Sequence, residues 1–457
     1  MHRFRPIPTT VLTLLSLSAG LSAADAPPLK VATFRADVTP PLGTPLCGGG
    51  VAPAKIVVDP LSARGIVLLT DDAPIVLCAV DWVGIGNGGY DAWREALARA
   101  AGTTPQRVAV HAVHQHDTPG CDFDAANLLA EHGLEEVMFS VKFAREAIAR
   151  TGAAIREAVR QPRLVTHVGQ GQAAVERVAS NRRVLGDDGK VKHVRYSSCR
   201  NPEAIAAPEG VIDPDVRLIS FWNDKTLIAS LTYYATHPQS FYGRGAISSD
   251  FVGLARGLRE ATLPDVLHVH FNGAGGNVAA GKYNDGTPPR RFELANRLAD
   301  GMSRAFDAIE KQSVTGHDVA WRIQPVALPL RDIIDEESCL ETLADAKARL
   351  ADRIRAARDL TWARRCKAGG RIDLTCLRIG SVRVVHMPGE LFVEYQLAAR
   401  DLRRESMVCM AAYGDYGPGY IGTEISYGQG GYETSRVSRV GPQVESVLMA
   451  AMKQLLE

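Results

Sequence analysis

Residues 108–122, VAVHAVHQHDTPGCD, are the part of this chain that says most about its fold and its chemistry. Apolar side chains alternate over 108–112 as they do in a strand, and the Pro-Gly pair at 119–120 then forces a turn. His114 and His116 therefore lie where a strand leaves its sheet. In an extended segment the H-x-H spacing points both imidazoles to the same side, so one can ligate a metal while the other contacts a bound substrate. Taken alone, the pattern favours two histidines hydrogen-bonded at a strand end, and the choice depends on the rest of the chain.

The composition describes a large globular protein without a dominant charge. The chain has 457 residues, of which 46% are hydrophobic, enough to bury a large core in one to three domains. Lys and Arg number 52 against 51 Asp and Glu, a net charge of +1. This balance gives no electrostatic reason to expect nucleic acid or an anionic membrane surface as a partner.

The first 26 residues are typical of a secretory signal peptide. Basic residues at positions 3 and 5 precede a short apolar run at 11–17, and small residues follow at 23–26. The apolar run is far shorter than the roughly 20 residues of a membrane span. The sequence therefore predicts a mature protein of residues 27–457, secreted or periplasmic and without a transmembrane segment. In that oxidising compartment Cys366 and Cys376 are the best candidates for a disulfide, as the two arms of a hairpin.

Strand and helix patterns alternate along the chain without a compositional break. Apolar runs at 65–69 and 74–80 predict a hairpin, and the periodicity of 134–159 and 338–358 predicts two helices. We therefore predict one α/β domain over 27–457, with a mixed β-sheet core and flanking helices. Such folds place their sites at strand ends, where the pattern puts three polar residues: His114, His237 and Glu390.

Six short motifs follow one another through the chain: HQHDTPG at 114–120, SNR at 180–182, ATH at 235–237, MPGE at 387–390, YIGT at 420–423 and YE at 432–433. In this order they resemble the motifs of the catalytic domain of the neutral/alkaline (non-lysosomal) ceramidases, which are zinc-dependent amidases. The resemblance rests on these motifs and not on continuous identity. It implies the fold of that catalytic domain and a zinc site.

The resemblance also implies a role for seven residues. The zinc ligands would be His114, His237, Glu390 and Tyr420, a mixed nitrogen and oxygen set that suits Zn²⁺. The catalytic residues would be His116, Arg182 and Tyr432.

One position departs from the family pattern in a way that bears on the reaction. The family's loop reads G-D-V-S-P-N, whereas residues 276–281 here read GNVAAG, so Ala279 stands where the family has its serine and Asn277 where it has aspartate. Hydrolysis of ceramide by the family's serine-assisted route is therefore not expected. We predict instead that water activated by the zinc attacks the amide or ester bond of an acylated, lipid-like or small substrate. His116 would be the general base and then the acid, and Arg182 and Tyr432 would stabilise the oxyanion.

Two other functions remain open at this point. A degenerate family member could keep the fold and the metal and act only as a binding protein, because it lacks the serine. An amidohydrolase barrel also begins with H-x-H, but it would need a later lysine, two further histidines and an aspartate in an order that the chain does not show. Four further residues are expected to have supporting roles, packing or hydrogen bonding for His268 and His270, and orientation of a histidine for Asp81 and Asp250.

Overall fold

The computed structural model describes residues 26–457, so the predicted leader at 1–26 lies almost entirely outside the described residues. The strands, labelled in chain order, are β1 Leu29–Asp37, β2 Ile56–Val57, β3 Ser62–Leu69, β4 Ile75–Val80, β5 Gly84–Ile85, β6 Val108–Ala112, β7 Gly120–Cys121, β8 Arg163–Val165, β9 His167–Ala174, β10 Ser180–Asn181, β11 Arg183–Leu185, β12 Val191–Val194, β13 Asp215–Asn223, β14 Thr226–Tyr234, β15 Ala246–Ile247, β16 Leu267–Asn272, β17 Val278–Ala279, β18 Glu310–Ser313, β19 Val319–Val326, β20 Ile372–Ile379, β21 Val382–His386, β22 Glu390–Leu391, β23 Met407–Ala411 and β24 Tyr420–Ile421.

The helices that pack around these strands are α1 Gly88–Ala101, α2 Phe123–Ala130, α3 Val141–Ala158, α4 Pro202–Ala206, α5 Asp250–Thr262, α6 Pro288–Asp307, α7 Glu336–Ala344, α8 Leu350–Lys367, α9 Val393–Leu402, α10 Glu424–Gln429 and α11 Val444–Leu456. Among the described residues, no helix is both long enough and apolar enough to cross a bilayer.

Three larger sheets carry the fold, and each is mixed in the same way. Their strand orders are β6-β4-β3-β1-β8, β16-β14-β13-β9-β18 and β19-β20-β21-β23. Each sheet is antiparallel except for one parallel pair at an edge, namely β4 with β6, β14 with β16, and β21 with β23. The predicted α/β class with a mixed β-sheet core is confirmed.

The carboxyl ends of the three parallel edge strands meet at the centre of the molecule. The amide of Ala112, the last residue of β6, donates to the carbonyl of Tyr413 just beyond β23. The amide of Ala412 donates in turn to the carbonyl of Asn272 at the end of β16. Because each strand delivers its following loop to this junction, polar residues from distant parts of the chain face one another there.

Apolar side chains seal the sheets against the helices. Helices α1 and α3 lie on the first sheet, α5 and α6 on the second, and α9 and α11 on the third. One buried cluster joins residues of all three sheets, a second lies between the first sheet and its helices, and a third lies between the third sheet and α9 and α11. The core therefore holds the three sheet edges in a fixed relation, and the polar junction is enclosed between the layers.

Two predicted helices differ in their bounds. The helix predicted from 134 begins only at Val141, because Ser140 accepts a hydrogen bond from the amide of Phe143 and so caps the first turn. The single helix predicted over 338–358 is two helices, α7 and α8. They are separated by a turn in which the carboxylate of Asp345 accepts from the amide of Lys347.

The predicted disulfide between Cys366 and Cys376 is wrong. Cys366 lies in the last turn of α8 and Cys376 in the middle of β20, so the two do not face each other across a hairpin. All eight cysteines of the chain, each within 26–457, are free thiols.

Candidate metal centre

His114 and His237 reach the junction from two different sheets with their rings held in the same way. His114 follows β6 in a left-handed backbone conformation with φ of +75°, and its Nδ1 donates to the carbonyl of Val83. His237 follows β14, and its Nδ1 donates to the carbonyl of Gly275 over 2.8 Å. Since a carbonyl can only accept, each Nδ1 carries the hydrogen and each Nε2 directs a lone pair inward.

Glu390 and Tyr420 arrive on the short parallel pair β22–β24, where they are direct neighbours in register. The Oε2 atom of Glu390 lies 3.2 Å from Nε2 of His114 and 3.0 Å from Nε2 of His237. The hydroxyl of Tyr420 lies 3.2 Å from Nε2 of His237. The structure therefore brings the four predicted metal ligands to one point.

This cluster has the chemistry of a cation site. The two Nε2 atoms are 3.3 Å apart, and Oε2 of Glu390 is buried with no hydrogen-bond partner in the part of the chain that the structure describes. Lone pairs at these separations repel one another unless a positive charge lies between them. Nitrogen and oxygen ligands of a tetrahedral zinc ion lie roughly 3.4 Å apart, which agrees with the observed spacing.

The pKa shifts of His237 and Tyr420 favour a neutral imidazole and a neutral phenol. Burial lowers the pKa of His237, so its imidazole is neutral near pH 7. Burial also raises the pKa of Tyr420 well above 10, so its phenol keeps its proton unless a cation displaces it.

His116 stands beside this cluster, closer to the opening of the cavity. Its Nε2 lies 3.4 Å from Nε2 of His114, and the three histidines together are close enough to hold a metal ion. His116 nevertheless differs from the other two. Its Nδ1 meets side chains, Nε2 of Gln239 at 3.0 Å and Sγ of Cys47 at 3.6 Å, and no contact within 4.0 Å joins it to Glu390 among residues 26–457. These contacts distinguish the surroundings of His116 from those of His114 and His237.

Arg182 is held at the cluster by a buried carboxylate. Its Nη1 donates to the hydroxyl of Tyr420 over 3.0 Å, and its Nε lies 3.1 Å from Oε1 of Glu433. Oε2 of Glu433 pairs with Arg183 at 3.2 Å, so one carboxylate orients two neighbouring guanidinium groups. The positive charge of Arg182 is thereby fixed next to the predicted metal ligands.

Tyr432 lies at the rim. Its side chain is 38% exposed, and its ring packs edge-on against that of Tyr420 with the centroids 5.7 Å apart. The guanidinium carbon of Arg182 lies 5.5 Å from the centre of the Tyr432 ring. Burial raises the pKa of Tyr432 to about 12, so the residue presents a protonated hydroxyl to the cavity.

The glycine-rich loop supplies no nucleophile at position 279. Ala279 pairs with Ser180 in the ladder of β10 and β17, and Ser180 donates its hydroxyl hydrogen to the Ala279 carbonyl. Asn277 braces the loop against the start of α9, accepting from the amide of Val393 and donating to Glu394, both over 2.8 Å. Gly276 is required here, since a Cβ at this position would come within 2.2 Å of the carbonyl oxygen of Glu390.

Three residues next to the centre were not singled out from the sequence. Tyr416 donates its hydroxyl to Oε1 of Glu390 over 2.6 Å and so orients that carboxylate. Gln239 supports His116, and Cys47 lines the same cavity. Gln239 lies two residues after a predicted ligand and Tyr416 four residues before another, which is the only signal that the sequence offers for them.

Of the four residues expected in supporting roles, His268 and His270 are buried as expected, whereas Asp81 and Asp250 have partners other than a histidine. Asp81 forms a two-point ion pair with Arg256 and accepts from Gln115, so it orients the neighbour of His114 and His116. Asp250 accepts from the hydroxyl of Ser240, and within residues 26–457 neither carboxylate contacts a histidine. His270 is packed in the core beside Thr232, and His268 has a pKa lowered by burial to about 4.

Solved structures of other proteins share this architecture. The neutral ceramidase of Pseudomonas aeruginosa superposes with a TM-score of 0.68 over 94% of this chain and 74% of its own, at 17% sequence identity. A ceramidase in complex with C2 matches with the same TM-score and identity, over 94% of this chain and 75% of that one. No family model matches the sequence, and no curated protein does. The chain thus has the neutral ceramidase fold, as the resemblance of its motifs implied.

Proposed function

We propose that this chain is a metal-dependent hydrolase that cleaves an amide or ester bond in an acylated, lipid-like or small substrate. The observation that carries the proposal is the convergence of inward-facing lone pairs from His114 and His237 on the unpartnered carboxylate oxygen of Glu390. The ceramidase fold supports the same reaction class. Export through the predicted leader belongs to this proposal, and sequencing the amino terminus of the mature protein would test it.

The residues that would hold the metal are His114, His237, Glu390 and Tyr420, and their nitrogen and oxygen donors suit zinc. A zinc ion held there would supply Lewis acidity, which polarises a carbonyl and acidifies water. The side chains around it would complete the chemistry.

His116 would accept a proton from the attacking water at Nε2 and then give it to the departing nitrogen or oxygen. Nδ1 of His116 carries a hydrogen both before and after Nε2 takes the proton, so Gln239 supports this role with its amide oxygen turned toward Nδ1 to accept that hydrogen bond. Arg182, held by Glu433, and the protonated hydroxyl of Tyr432 would stabilise the negative charge that develops on the carbonyl oxygen.

The proposal is tested by turnover. Purified mature protein would be assayed on a panel of N-acyl amides and acyl esters, after metal analysis, and again after chelation and zinc addition. We expect hydrolysis that disappears on chelation and returns with zinc. Stoichiometric zinc with no turnover on any member of the panel would instead favour a protein that only binds acylated ligands, a function consistent with alanine at position 279.

Tyr416→Phe is expected to weaken zinc binding about 10–100-fold, because Glu390 loses the donor that orients its carboxylate. The measurement is a competition titration against a chelator of known affinity. Tyr427→Phe is the matched control, since it removes a tyrosine hydroxyl that bonds Ser438 and not Glu390. Equal zinc affinity in Tyr416→Phe and wild type would show that the hydroxyl has no part in holding the ligand.

A further inference from the structure

The cavity that opens onto the candidate metal centre has a strongly basic wall. It encloses about 260 Å³, and its lining includes His116, Glu390, Tyr420 and Tyr432. Helix α8 and the loop before α11 contribute four arginines to the same lining: Arg355, Arg358, Arg436 and Arg439. Of residues 26–457, Glu390, which faces the histidines, is the one acidic residue in this lining.

Two of the four arginines are neutralised by neighbours outside the cavity. Arg355 pairs with Asp352 at 2.9 Å, and Arg439 pairs with Asp359 at 2.7 Å. Arg358 and Arg436 have no acidic partner within 4.0 Å in the described part of the chain, residues 26–457. Two guanidinium groups of this lining are therefore not engaged in an ion pair with any of those residues.

Arg358 stands out among the arginines of its own helix. Each of the others on α8, or at its N-cap, bonds a carboxylate or a carbonyl: Arg349 and Arg355 bond Asp352, Arg353 bonds the Leu343 carbonyl, Arg364 bonds Glu336 and Arg365 bonds Asp91. Within 26–457 no hydrogen bond of this kind is formed by Arg358, although its side chain is half-buried. A guanidinium in that position keeps unused donors in a partly desolvated site.

Arg358 also lies close to the reacting groups. Its guanidinium carbon is 5.4 Å from the centre of the Tyr416 ring, and the hydroxyl of that ring is bonded to Glu390. Gly48, which also lines the cavity, is adjacent, since a Cβ at this position would lie 3.7 Å from Nη1 of Arg358. The apolar side chains of Ile354 and Val437 complete this part of the lining.

We infer that the substrate carries an anionic group, a carboxylate or a phosphate, that binds Arg358, while its acyl bond lies at the metal centre. The inference rests on the proposed function. A planar guanidinium matches both anions with two parallel hydrogen bonds, and a charged partner would satisfy donors that the protein leaves open. Arg436, at the exposed edge, would strengthen the attraction. The substrate class is thus an acylated compound with an anionic head, such as an N-acyl amino acid.

The test uses three amides with one acyl chain and different heads. They are N-dodecanoylglycine with a carboxylate, N-dodecanoylglycinamide as its neutral counterpart, and N-dodecanoyl-O-phosphoethanolamine with a phosphate. We expect kcat/KM of the zinc-loaded wild type to be at least about tenfold higher on an anionic amide than on the neutral one. The better of the two anionic substrates identifies the head group.

Arg358→Gln is expected to lose about 10–100-fold in kcat/KM on the preferred anionic amide, mostly through KM, and little on the neutral one. Arg364→Gln is the matched control, because it removes an arginine of the same helix that is already paired with Glu336. Equal kcat/KM of wild type on all three amides, or an equal loss in the two variants, would overturn the inference and leave the proposed hydrolase function standing.

If none of the amides is cleaved, calorimetric titration distinguishes failure of the hydrolase function from failure of the anion site. Zinc-loaded wild type and Arg358→Gln would each be titrated with the same three compounds. Binding of an anionic amide that is at least about tenfold weaker in the variant would support the anion site while the hydrolase function fails. Binding that is equal in both proteins, or absent for all three compounds, would overturn the anion site as well.

Discussion

His116→Ala is expected to retain its zinc and to lose about 10²–10⁴-fold in kcat/KM, the usual contribution of a general acid–base residue. The reason is that the ring of His116 has different neighbours from the rings of His114 and His237. His114 and His237 have their Nδ1 atoms bonded to backbone carbonyls and their Nε2 atoms beside Glu390, whereas the Nδ1 of His116 meets Gln239 and Cys47. The measurement is metal content by emission spectrometry on the purified variant, together with kcat/KM on the best substrate of the panel.

The metal content and activity of His116→Ala are to be compared with those of His114→Ala. That variant is expected to lose the metal and the activity together, because one of the inward-facing lone pairs is removed. His317→Ala removes an exposed histidine and should change neither quantity. If His116→Ala lost its zinc as His114→Ala does, the metal would be held by the three histidines, and the role of His116 in proton transfer would have to be abandoned.

Asp81→Asn is expected to lower the free energy of unfolding by about 3–5 kcal/mol, the usual cost of removing one partner of a buried ion pair. Asp81 is fully buried, and its two oxygens accept from Arg256 at 2.9 and 2.8 Å. The same carboxylate accepts from Ser62 and Gln115. The backbone amide of Ser62 is a fifth donor to this carboxylate, so an amide in its place offers one acceptor where five donors converge, and it leaves the buried charge of Arg256 uncompensated.

The pH dependence of this stabilisation follows from the direction in which folding shifts the pKa of Asp81. Burial alone would raise the pKa of Asp81, but Arg256 outweighs it and holds the pKa below that of an ordinary aspartate. The stabilisation is therefore fully present above the unfolded pKa, about 3.9, and is lost as the pH falls through the folded value. Denaturant unfolding at pH 7 and pH 5 should give the same difference between wild type and Asp81→Asn, and the two proteins should converge only in stronger acid.

A surface ion pair provides the control. Asp300→Asn removes the partner of Arg304 on the exposed face of α6, and it is expected to cost no more than about 0.5 kcal/mol. If Asp81→Asn also cost that little, water or another donor would have to replace the lost contacts. The ion pair would then not be what holds Gln115, and the histidines beside it, in place.

The alternation of residues 108–112 and the turn residues that follow were sufficient to predict a strand that delivers His114 and His116 to a sheet edge. Both features depend on neighbouring residues, whose spacing along the chain sets which side each side chain faces. The same reasoning placed His237 and Glu390 at strand ends. It was less accurate for the helix predicted over 338–358, since the turn at Asp345 depends on a side-chain to backbone hydrogen bond that the apolar periodicity does not reveal.

The sequence by itself determined the α/β fold, the histidines at the strand ends and the alanine at position 279. Only the tertiary structure decided which atoms of those residues face the centre, because the carbonyls of Val83 and Gly275 set the protonation of His114 and His237. It also decided that Tyr416 orients Glu390 and that Arg358, in the lining of the cavity, has no acidic partner among residues 26–457. These contacts join residues far apart in the chain, and no local pattern encodes them, because they exist only after three sheets have met at their edges.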